Sequence, residues 1–389
     1  DSGTGKRKLP DRAPDPFRER EDLVQQVIER VTEKQDREVV ALTDEFLLKG
    51  LFPFFATYIH ELGFDLSVHS GAGQSALKRG IEEANVPFCA PMQQYHGLVS
   101  EMCDSQPDYL FLPMLRGIPK IKDEPTANVC PIVQGSGDIL RWDLDGPRIV
   151  SPVIDFGEGN LDSREFLKSC RRVAKELGAV RADWKRAHAR ARKVQERFDQ
   201  ACLDAGREAL AFCEENAVTP VIVLGRTYTI YNTVLNSNVP ALLREQGALA
   251  IPVDCYPIEE DVPVFGDVYW GYGQRNLRAA HQIRRRPGEY ALWCSNYSCG
   301  PDSFNLHFFA YTMEGKPFAI IETDGQSGDA GTKTRVEAFL HCVREDLVAE
   351  RVTVARELDQ VTADRTDLAG LMKTKRRVLI PRMGPGAEA

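Results

Sequence analysis

The chain has 389 residues, of which 43% are hydrophobic and 27% charged, and a formal net charge of −8. This length exceeds what one hydrophobic core normally holds, and the negative charge gives no overall attraction to nucleic acid or to an anionic membrane, so neither is expected as a partner. The longest apolar stretch, "LLKGLFPFFATYI", is too short to span a bilayer and is interrupted by Lys49. Because the first residues are polar and proline-rich without an apolar signal region, we expect a cytoplasmic protein.

The chain begins with a predicted linker and leading helix over residues 1–36, where a proline-rich start precedes "DLVQQVIERV". Over residues 37–160, short apolar runs alternate with amphipathic segments, which predicts a first α/β domain. Its predicted strands are "EVVALTD", "FDLSVHS", "PDYLFLPML" and "NVCPIVQ", and "RIVSPVIDF" closes the domain. Its helices are predicted at "FLLKGLFPFFATYIHELG", "SALKRGIEEA" and "SGDILRW".

Residues 161–217 are predicted to be a helical segment without interruption. Apolar residues recur there at alternating steps of three and four, the pattern of a long helix packed along a partner. The opposite face is basic, with Arg171, Arg172, Lys175, Arg181, Lys185, Arg186, Arg190, Arg192, Lys193 and Arg197. Such a run is usually a solvated helix face; the alternative is a docking face for an acidic partner or for the phosphates of a coenzyme A tail.

A second α/β domain is predicted over residues 218–346, because the same alternation returns in "TPVIVLGR", "NVPALLREQG", "ALAIPVDCYP", "NLRAAHQIRRRPG", "EYALWCSN", "NLHFFAYTME", "KPFAIIETDG" and "TKTRVEAFLHCV". Residues 347–389 are predicted to form a C-terminal helix and a strand, "RRVLIPRM", that leads into a further domain. The sequence therefore predicts an α/β fold of two doubly wound, mostly parallel-sheet domains of the Rossmann or flavodoxin-like kind, with a long helical insertion between them.

The ten cysteines are scattered and include no CxxC pair, which argues against a disulfide scaffold, a zinc ribbon or a thioredoxin-type site. Most are expected to be small buried hydrophobic residues. Cys89, Cys130 and Cys299 differ, because each is followed within two residues by a proline, and each is predicted near the carboxyl end of a strand, where ligands collect in open parallel sheets. These three thiols are therefore candidate metal ligands in one cleft.

The kind of metal centre is open at this point. Three separated thiolates suit zinc only with a nearby histidine or carboxylate, which the sequence does not offer clearly. A four-iron four-sulfur cluster normally takes four thiolates, so three would leave one iron open for substrate or solvent. Cys255 and Cys294 are possible additional ligands, which would allow a double cubane, although burial in strands is the simpler expectation for both.

Two further features are candidate parts of the site. "ETDGQSGDAGTKTR" runs from a predicted strand through Gly325, Gly328 and Gly331 into a helix, and such a loop is able to point N–H groups at a cofactor. His96 in "QQYHG" is a candidate catalytic hydrogen-bond donor toward a cluster or substrate, or else a core histidine. No Ser/His/Asp arrangement or paired-carboxylate motif stands out, so hydrolytic chemistry has no support.

Five motifs, in this order, carry a family resemblance: "VPFCAPMQQYHG", "DYLFLPML", "NVCPIVQ", "NYSCGPDSF" and "IIETDGQSGDAGTKTRVEAF". Over residues 38–345 the chain resembles the cysteine-containing subunits of 2-hydroxyacyl-CoA dehydratases and the double-cubane cluster proteins. More closely, it resembles the middle module of large activase-related proteins that fuse an activator ATPase to such subunits. Ala90 and the Gln93-Gln94 pair depart from the usual pattern, and these positions bear on the substrate pocket.

The resemblance implies an iron-sulfur cluster held by Cys89, Cys130 and Cys299 and reduced by an ATP-dependent activator, with a second cluster-binding half or a homodimer as further partner. In the dehydratases the cluster passes one electron to a 2-hydroxyacyl-CoA thioester. Our leading hypothesis is therefore an iron-sulfur electron-transfer or reductase module, a dehydratase-like enzyme component acting on a small substrate of the acyl-CoA kind. Two alternatives are a non-catalytic scaffold that links an activator ATPase to a partner, and a nucleotide-binding protein that uses the loop at 325–331.

Overall fold

The computed structural model describes residues 9–144, 146–325 and 329–349. The helices in these ranges are α1 Pro16–Val31, α2 Phe52–Glu61, α3 Gln74–Glu83, α4 Ala90–Asp104, α5 Pro131–Asp143, α6 Arg164–Glu176, α7 Trp184–Asn216, α8 Thr227–Ile230, α9 Val239–Glu245, α10 Gly271–Arg285, α11 Gly300–Met313 and α12 Asp329–Ala349. The strands are β1 Val39–Thr43, β2 Asp65–His69, β3 Tyr109–Phe111, β4 Met114–Leu115, β5 Arg148–Val150, β6 Val153–Ile154, β7 Thr219–Leu224, β8 Ala248–Pro252, β9 Tyr290–Asn296 and β10 Phe318–Thr323.

Two four-stranded sheets form the centre of the fold. The first has the strand order β2-β1-β3-β5 and the second β10-β9-β7-β8, and every strand pair in them is parallel. All seven residues of β9 are buried, as expected for a parallel strand covered by helices on both faces. The α/β fold class with parallel sheets, predicted from the apolar runs, is confirmed.

Two prolines divide strands that the sequence pattern suggested were continuous. Pro113 separates β3 from β4, and Pro152 separates β5 from β6, so that β4 and β6 pair as a small sheet of their own. Proline has no N–H and therefore interrupts a ladder. The Leu112 N–H still donates to the Val150 carbonyl at 3.0 Å, and the Met114 N–H donates to the Pro152 carbonyl at 2.9 Å. The chain thus passes from one sheet to the other without losing its parallel pairing.

The prediction of a strand at "NVCPIVQ" is wrong. Asn128 makes only isolated bridges, to Gly117 and to Trp270, and α5 begins directly afterwards at Pro131. Proline suits the first position of a helix, because its fixed φ is helical and its missing N–H would be unpaired there in any case. The apolar run was therefore the start of a helix. The sequence pattern also missed α4, which begins just after Cys89.

The helical segment between the sheets is two helices, not one. After α6 ends at Glu176, the chain turns through Gly178, which has a φ of +80°, and α7 begins after Asp183. The Asp183 carboxylate accepts the Arg186 N–H at 3.1 Å and so caps the new helix. The apolar stripe of α7 is buried against α1 and α2, as its periodicity predicted.

The basic face of α6 and α7 is largely exposed and partly paired. Arg190 donates to both carboxylate oxygens of Glu61, at 2.8 and 2.7 Å, and Arg192 lies 2.9 Å from Asp162. These exposed pairs fit the interpretation of this face as a solvated helix surface.

The predicted C-terminal strand "RRVLIPRM" lies outside the described residues, as does Gly328. Among the helices that are described, none combines the length and the apolar character needed to cross a membrane.

Candidate functional site

Each of the three candidate cysteines stands at the N-cap of a helix. Cys89 precedes α4, Cys130 precedes α5 and Cys299 precedes α11, and all three helices have a proline in their first two positions. The N-terminus of a helix carries free N–H groups and a partial positive charge, which stabilise a thiolate or a bound anion. Three helix starts with the same design are therefore suited to hold negatively charged sulfur.

The fold brings these thiols together from distant parts of the chain. Cys89 is close enough to Cys130 and to Cys299 for charges on these thiols to interact. The guanidinium of Arg226 is likewise close enough to interact with charge on Cys89 and on Cys299. Cys299 is buried, whereas Cys89 and Cys130 are half-buried, and all are free thiols. That the three thiols hold one metal centre stays a prediction.

The ionisation of two of the thiols is shifted by burial. Burial raises the pKa of Cys299 to about 12, against the opposing charge of Arg226. Burial also raises the pKa of Cys89, and here the N–H of Met92 and the Arg226 charge act in the opposite direction. Without a bound group, both thiols therefore hold their protons at neutral pH, and a metal centre would release those protons on binding.

Arg226, two residues after the end of β7, supplies buried positive charge near the thiols. It is 5% exposed, lies 3.1 Å from the Asp302 carboxylate and donates to the Asn296 side chain at 3.0 Å. Its guanidinium also lies over the ring of Tyr228, 5.3 Å from the ring centroid. Burial opposes its charge, but the negative groups around it outweigh burial and raise the pKa of Arg226.

Asn296 ties the carboxyl ends of three neighbouring strands together. Its side chain accepts from Arg226 and from Thr229 at 2.9 Å, and it donates to the Leu235 carbonyl at 3.0 Å and to Thr323 at 3.1 Å. Sequence reasoning missed Arg226, Asn296 and Asp302. The available signal was a charged residue placed directly after the buried run "VIVLG".

Among the described residues of the glycine loop, Gly325 lies beside the site. Gly325 has a φ of +75°, and a Cβ atom there would lie 2.6 Å from Leu77 Cδ2 and 3.8 Å from the Cβ of Ala90, the residue after Cys89. Of the predicted loop glycines, Gly325 is thus beside the start of α4, whereas Gly331 lies in α12 with open space around it.

His96 lies deeper in α4, about two turns from Cys89. It is 2% exposed, and its Nε2 is 3.4 Å from the Asp143 carboxylate at the end of α5. This contact joins α4 to α5. A catalytic role for His96 stays a prediction.

Among the described residues, no group of three or more His, Cys, Asp or Glu side chains is arranged to hold one metal ion. An iron-sulfur cluster places each thiolate on a different iron, so its ligands stand further apart than those of zinc.

The two possible additional ligands, Cys255 and Cys294, are both buried. Cys255 lies against Cys202, and the Tyr231 hydroxyl oxygen is 3.8 Å from the Cys255 sulfur. Cys294 is fully buried in β9.

A cavity of about 770 Å³ opens beside α5. It is lined by Asn128, two residues before Cys130, and by Gln134, whose N–H donates to the Cys130 carbonyl at 2.9 Å. Its rim carries the ion pair of Arg116 with Asp155, 2.9 Å apart. The volume is in the range of small-molecule sites, and none of the three candidate cysteines is among the residues that line it.

Comparison with solved structures gives only distant likenesses. A Bacillus subtilis protein assigned as a phosphosugar isomerase has 10% identity and a TM-score of 0.23, with 86% of this chain and 94% of that chain covered. The C-terminal domain of glucosamine-fructose-6-phosphate aminotransferase from Francisella tularensis has 9% identity and a TM-score of 0.23, with 86% and 92% covered. At these TM-scores neither carries an inference about this chain.

The comparison with protein families is more informative. No match to a curated protein was found. The family described as the CoA enzyme activase uncharacterised domain (DUF2229) matches residues 40–256, a range that includes Cys89, Cys130 and Arg226. Since this match covers more than half of the chain, the chain belongs to the CoA enzyme activase uncharacterised domain family.

Proposed function

We propose that this chain is an iron-sulfur electron-transfer or reductase module, in which Cys89, Cys130 and Cys299 hold a four-iron four-sulfur cluster. The observation that carries the proposal is the approach of three thiols, each at the N-cap of its own helix. When bound, such a cluster would supply one-electron transfer, and an iron without a thiolate would act as a Lewis acid.

The residues around the thiols have separate tasks in this proposal. The helix starts hold the sulfur atoms in place and direct N–H groups and positive dipole ends toward them. Burial of Cys299 and Asp302 keeps water away from one side, while Asn296 fixes the strand ends. A small substrate would approach from the cavity that Asn128 and Gln134 line.

The partner and the substrate class follow from the family and from the motif resemblance. The family name links the chain to CoA enzyme activases, which supports an ATP-dependent activator as the electron donor. The resemblance to 2-hydroxyacyl-CoA dehydratases supports an acyl-CoA as the electron acceptor. We propose this class of substrate, with Ala90, Gln93 and Gln94 as the positions where its recognition differs from that of the dehydratases.

Anaerobic purification and reconstitution test the proposal. Wild-type protein is expected to be brown, to contain iron and acid-labile sulfide in equal amounts, and to give an electron paramagnetic resonance signal after reduction. Cys130→Ala is expected to lose most of the iron, because it removes one of three ligands. Cys342→Ser is the matched control, since Cys342 is an exposed thiol on α12.

Two other outcomes would reject the proposal in different ways. Colourless wild-type protein, with no iron after anaerobic reconstitution, would favour the non-catalytic scaffold. Saturable nucleotide binding that survives substitution of all three cysteines would favour the nucleotide-binding alternative. In either case Cys130→Ala would behave like Cys342→Ser.

A further inference from the structure

A cavity of about 380 Å³ is formed by residues of α1, α2 and α7. None of the three candidate cysteines lines it, so it is not part of the thiol site. Its volume lies within the range of small-molecule sites. Three helices of separate sequence origin therefore enclose a space in which a compact ligand fits.

The charged residues that line this cavity are mostly basic. Arg30 comes from α1, and Arg190, Lys193 and Arg197 come from α7. Glu61 is the only carboxylate among the described lining residues, and both of its oxygens accept hydrogen bonds from Arg190, at 2.8 and 2.7 Å. Arg30, Lys193 and Arg197 have no ion-pair partner among the residues that the structure describes. The charges of these three cations are therefore uncompensated in the cavity.

The neighbouring groove on α7 shows that this excess of positive charge is local. Lys193 and Arg197 also line that groove, but Glu196 and Asp204 line it with them. Two cations and two carboxylates leave the groove without net charge, and neither carboxylate lines the cavity between the three helices. The whole chain has a net charge of −8, so its overall composition does not account for a positive cavity. An anion is thus attracted to this cavity in particular.

The cavity also has an apolar wall. Val27 and Val31 on α1 are buried, and Val194 on α7 is half-buried. His60 lines the cavity as well, and its Nδ1 has no hydrogen-bond partner among the described residues. A ligand that matches this lining combines two or more negative charges with a compact apolar part.

We propose that this cavity binds a small molecule that carries a diphosphate group beside an apolar part. Lys193 and Arg197 are four residues apart on α7, about 6 Å along the helix axis, so each would contact its own phosphate group. Arg30 approaches from α1 and adds a third positive charge. A guanidinium binds phosphate oxygens in pairs, and an ammonium binds them as a point charge. This site does not rest on the proposed function, because it uses none of the thiols.

Isothermal titration calorimetry with pyrophosphate, phosphate and phenyl phosphate at constant ionic strength tests the proposal. Wild-type protein is expected to bind a single pyrophosphate at least about tenfold more tightly than phosphate, because the second phosphate group meets a second cation. Phenyl phosphate should bind more tightly than phosphate, because its ring contacts the valines. Lys193→Gln and Arg197→Gln should each weaken pyrophosphate binding by about tenfold, since each removes one charge-assisted hydrogen bond.

Lys185→Gln is the matched control. Lys185 is exposed on the same helix but does not line the cavity, so its loss should leave the affinity unchanged. If wild type binds no pyrophosphate, or if Lys185→Gln weakens binding as much as Lys193→Gln does, the proposal is overturned. Equal affinity for phosphate and phenyl phosphate would overturn the part that concerns the apolar wall.

Two further outcomes separate this cavity from other ways of binding anions. Binding of hexaglutamate without binding of pyrophosphate would make the basic face a docking surface for an acidic protein and would overturn the small-molecule site. A nucleotide bound in the cavity would be released by Lys193→Gln, whereas one bound at the loop at 325–331 would not, and insensitivity to Lys193→Gln would count against the cavity.

Discussion

Gly97 offers a sharp test of how the site is supported, because it lets α3 and α4 pack with their backbones in contact. A Cβ at Gly97 would lie 1.9 Å from the Ala76 carbonyl oxygen and 2.7 Å from the Gly80 nitrogen. The contact is reciprocal, since a Cβ at Gly80 would lie 1.7 Å from the Gln93 carbonyl oxygen. The obstructing atoms are backbone, so Gly97→Ala forces the helices apart by roughly 1 Å or more.

The expected magnitude follows from two opposing effects. Alanine favours an isolated helix over glycine by about 1 kcal/mol. Overpacking costs about 1–3 kcal/mol when flexible side chains give way, and more when a whole helix must move. We therefore expect Gly97→Ala to lower the free energy of unfolding by about 1–2 kcal/mol or more. Because Cys89 caps the same helix, iron content after reconstitution should fall as well.

Urea denaturation followed by circular dichroism measures this effect, with Gly135→Ala as the matched control. Gly135 lies in α5, one turn after Cys130, and a Cβ there would meet no atom within 4 Å. Gly135→Ala should therefore stabilise the protein by about 0.5–1 kcal/mol. Equal stability of the two variants would refute the close approach of α3 and α4.

Two further predictions concern charges away from the thiols. The backbone N–H of Gln35 donates to both oxygens of the Asp65 carboxylate, at 3.1 and 2.9 Å, and lowers the pKa of Asp65 from the usual 3.8. The resulting stabilisation is present above that value and is lost as pH falls through the lowered pKa. Asp65→Asn should therefore destabilise the protein at pH 7 and progressively less below about pH 4, as measured by urea midpoints at each pH. Arg20 is fully buried, and its guanidinium lies 4.4 Å from the centroid of the Tyr231 ring. Arg20→Ala should lower the free energy of unfolding by about 3–5 kcal/mol. As the control, Arg18→Ala removes an exposed ion pair with Asp22 and should lower it by less than about 0.5 kcal/mol. A similar loss in both arginine variants would contradict the burial argument.

The sequence predicted the sheet class because its signal is local. The run "TPVIVL" is apolar at nearly every position, and a strand covered by helices on both faces requires this composition, so β7 was recognisable without any knowledge of its neighbours. The prolines after Cys89, Cys130 and Cys299 were likewise visible in the sequence. The proline after Cys130 starts a helix, but the sequence pattern predicted a strand there, because a short apolar run looks the same in a strand and in the first turn of a helix.

Tertiary structure decided what surrounds the thiols. Whether Cys89 meets Cys299 depends on the packing of one sheet's helices against the strand ends of the other, which no local pattern encodes. Arg226 was unremarked in the sequence, and it matters only because β7 and β9 are neighbours and place it next to Asn296 and Asp302. Hydrophobic periodicity acts over a few residues and therefore fixes the elements, whereas the charge and shape of the site arise from contacts between residues far apart in the chain.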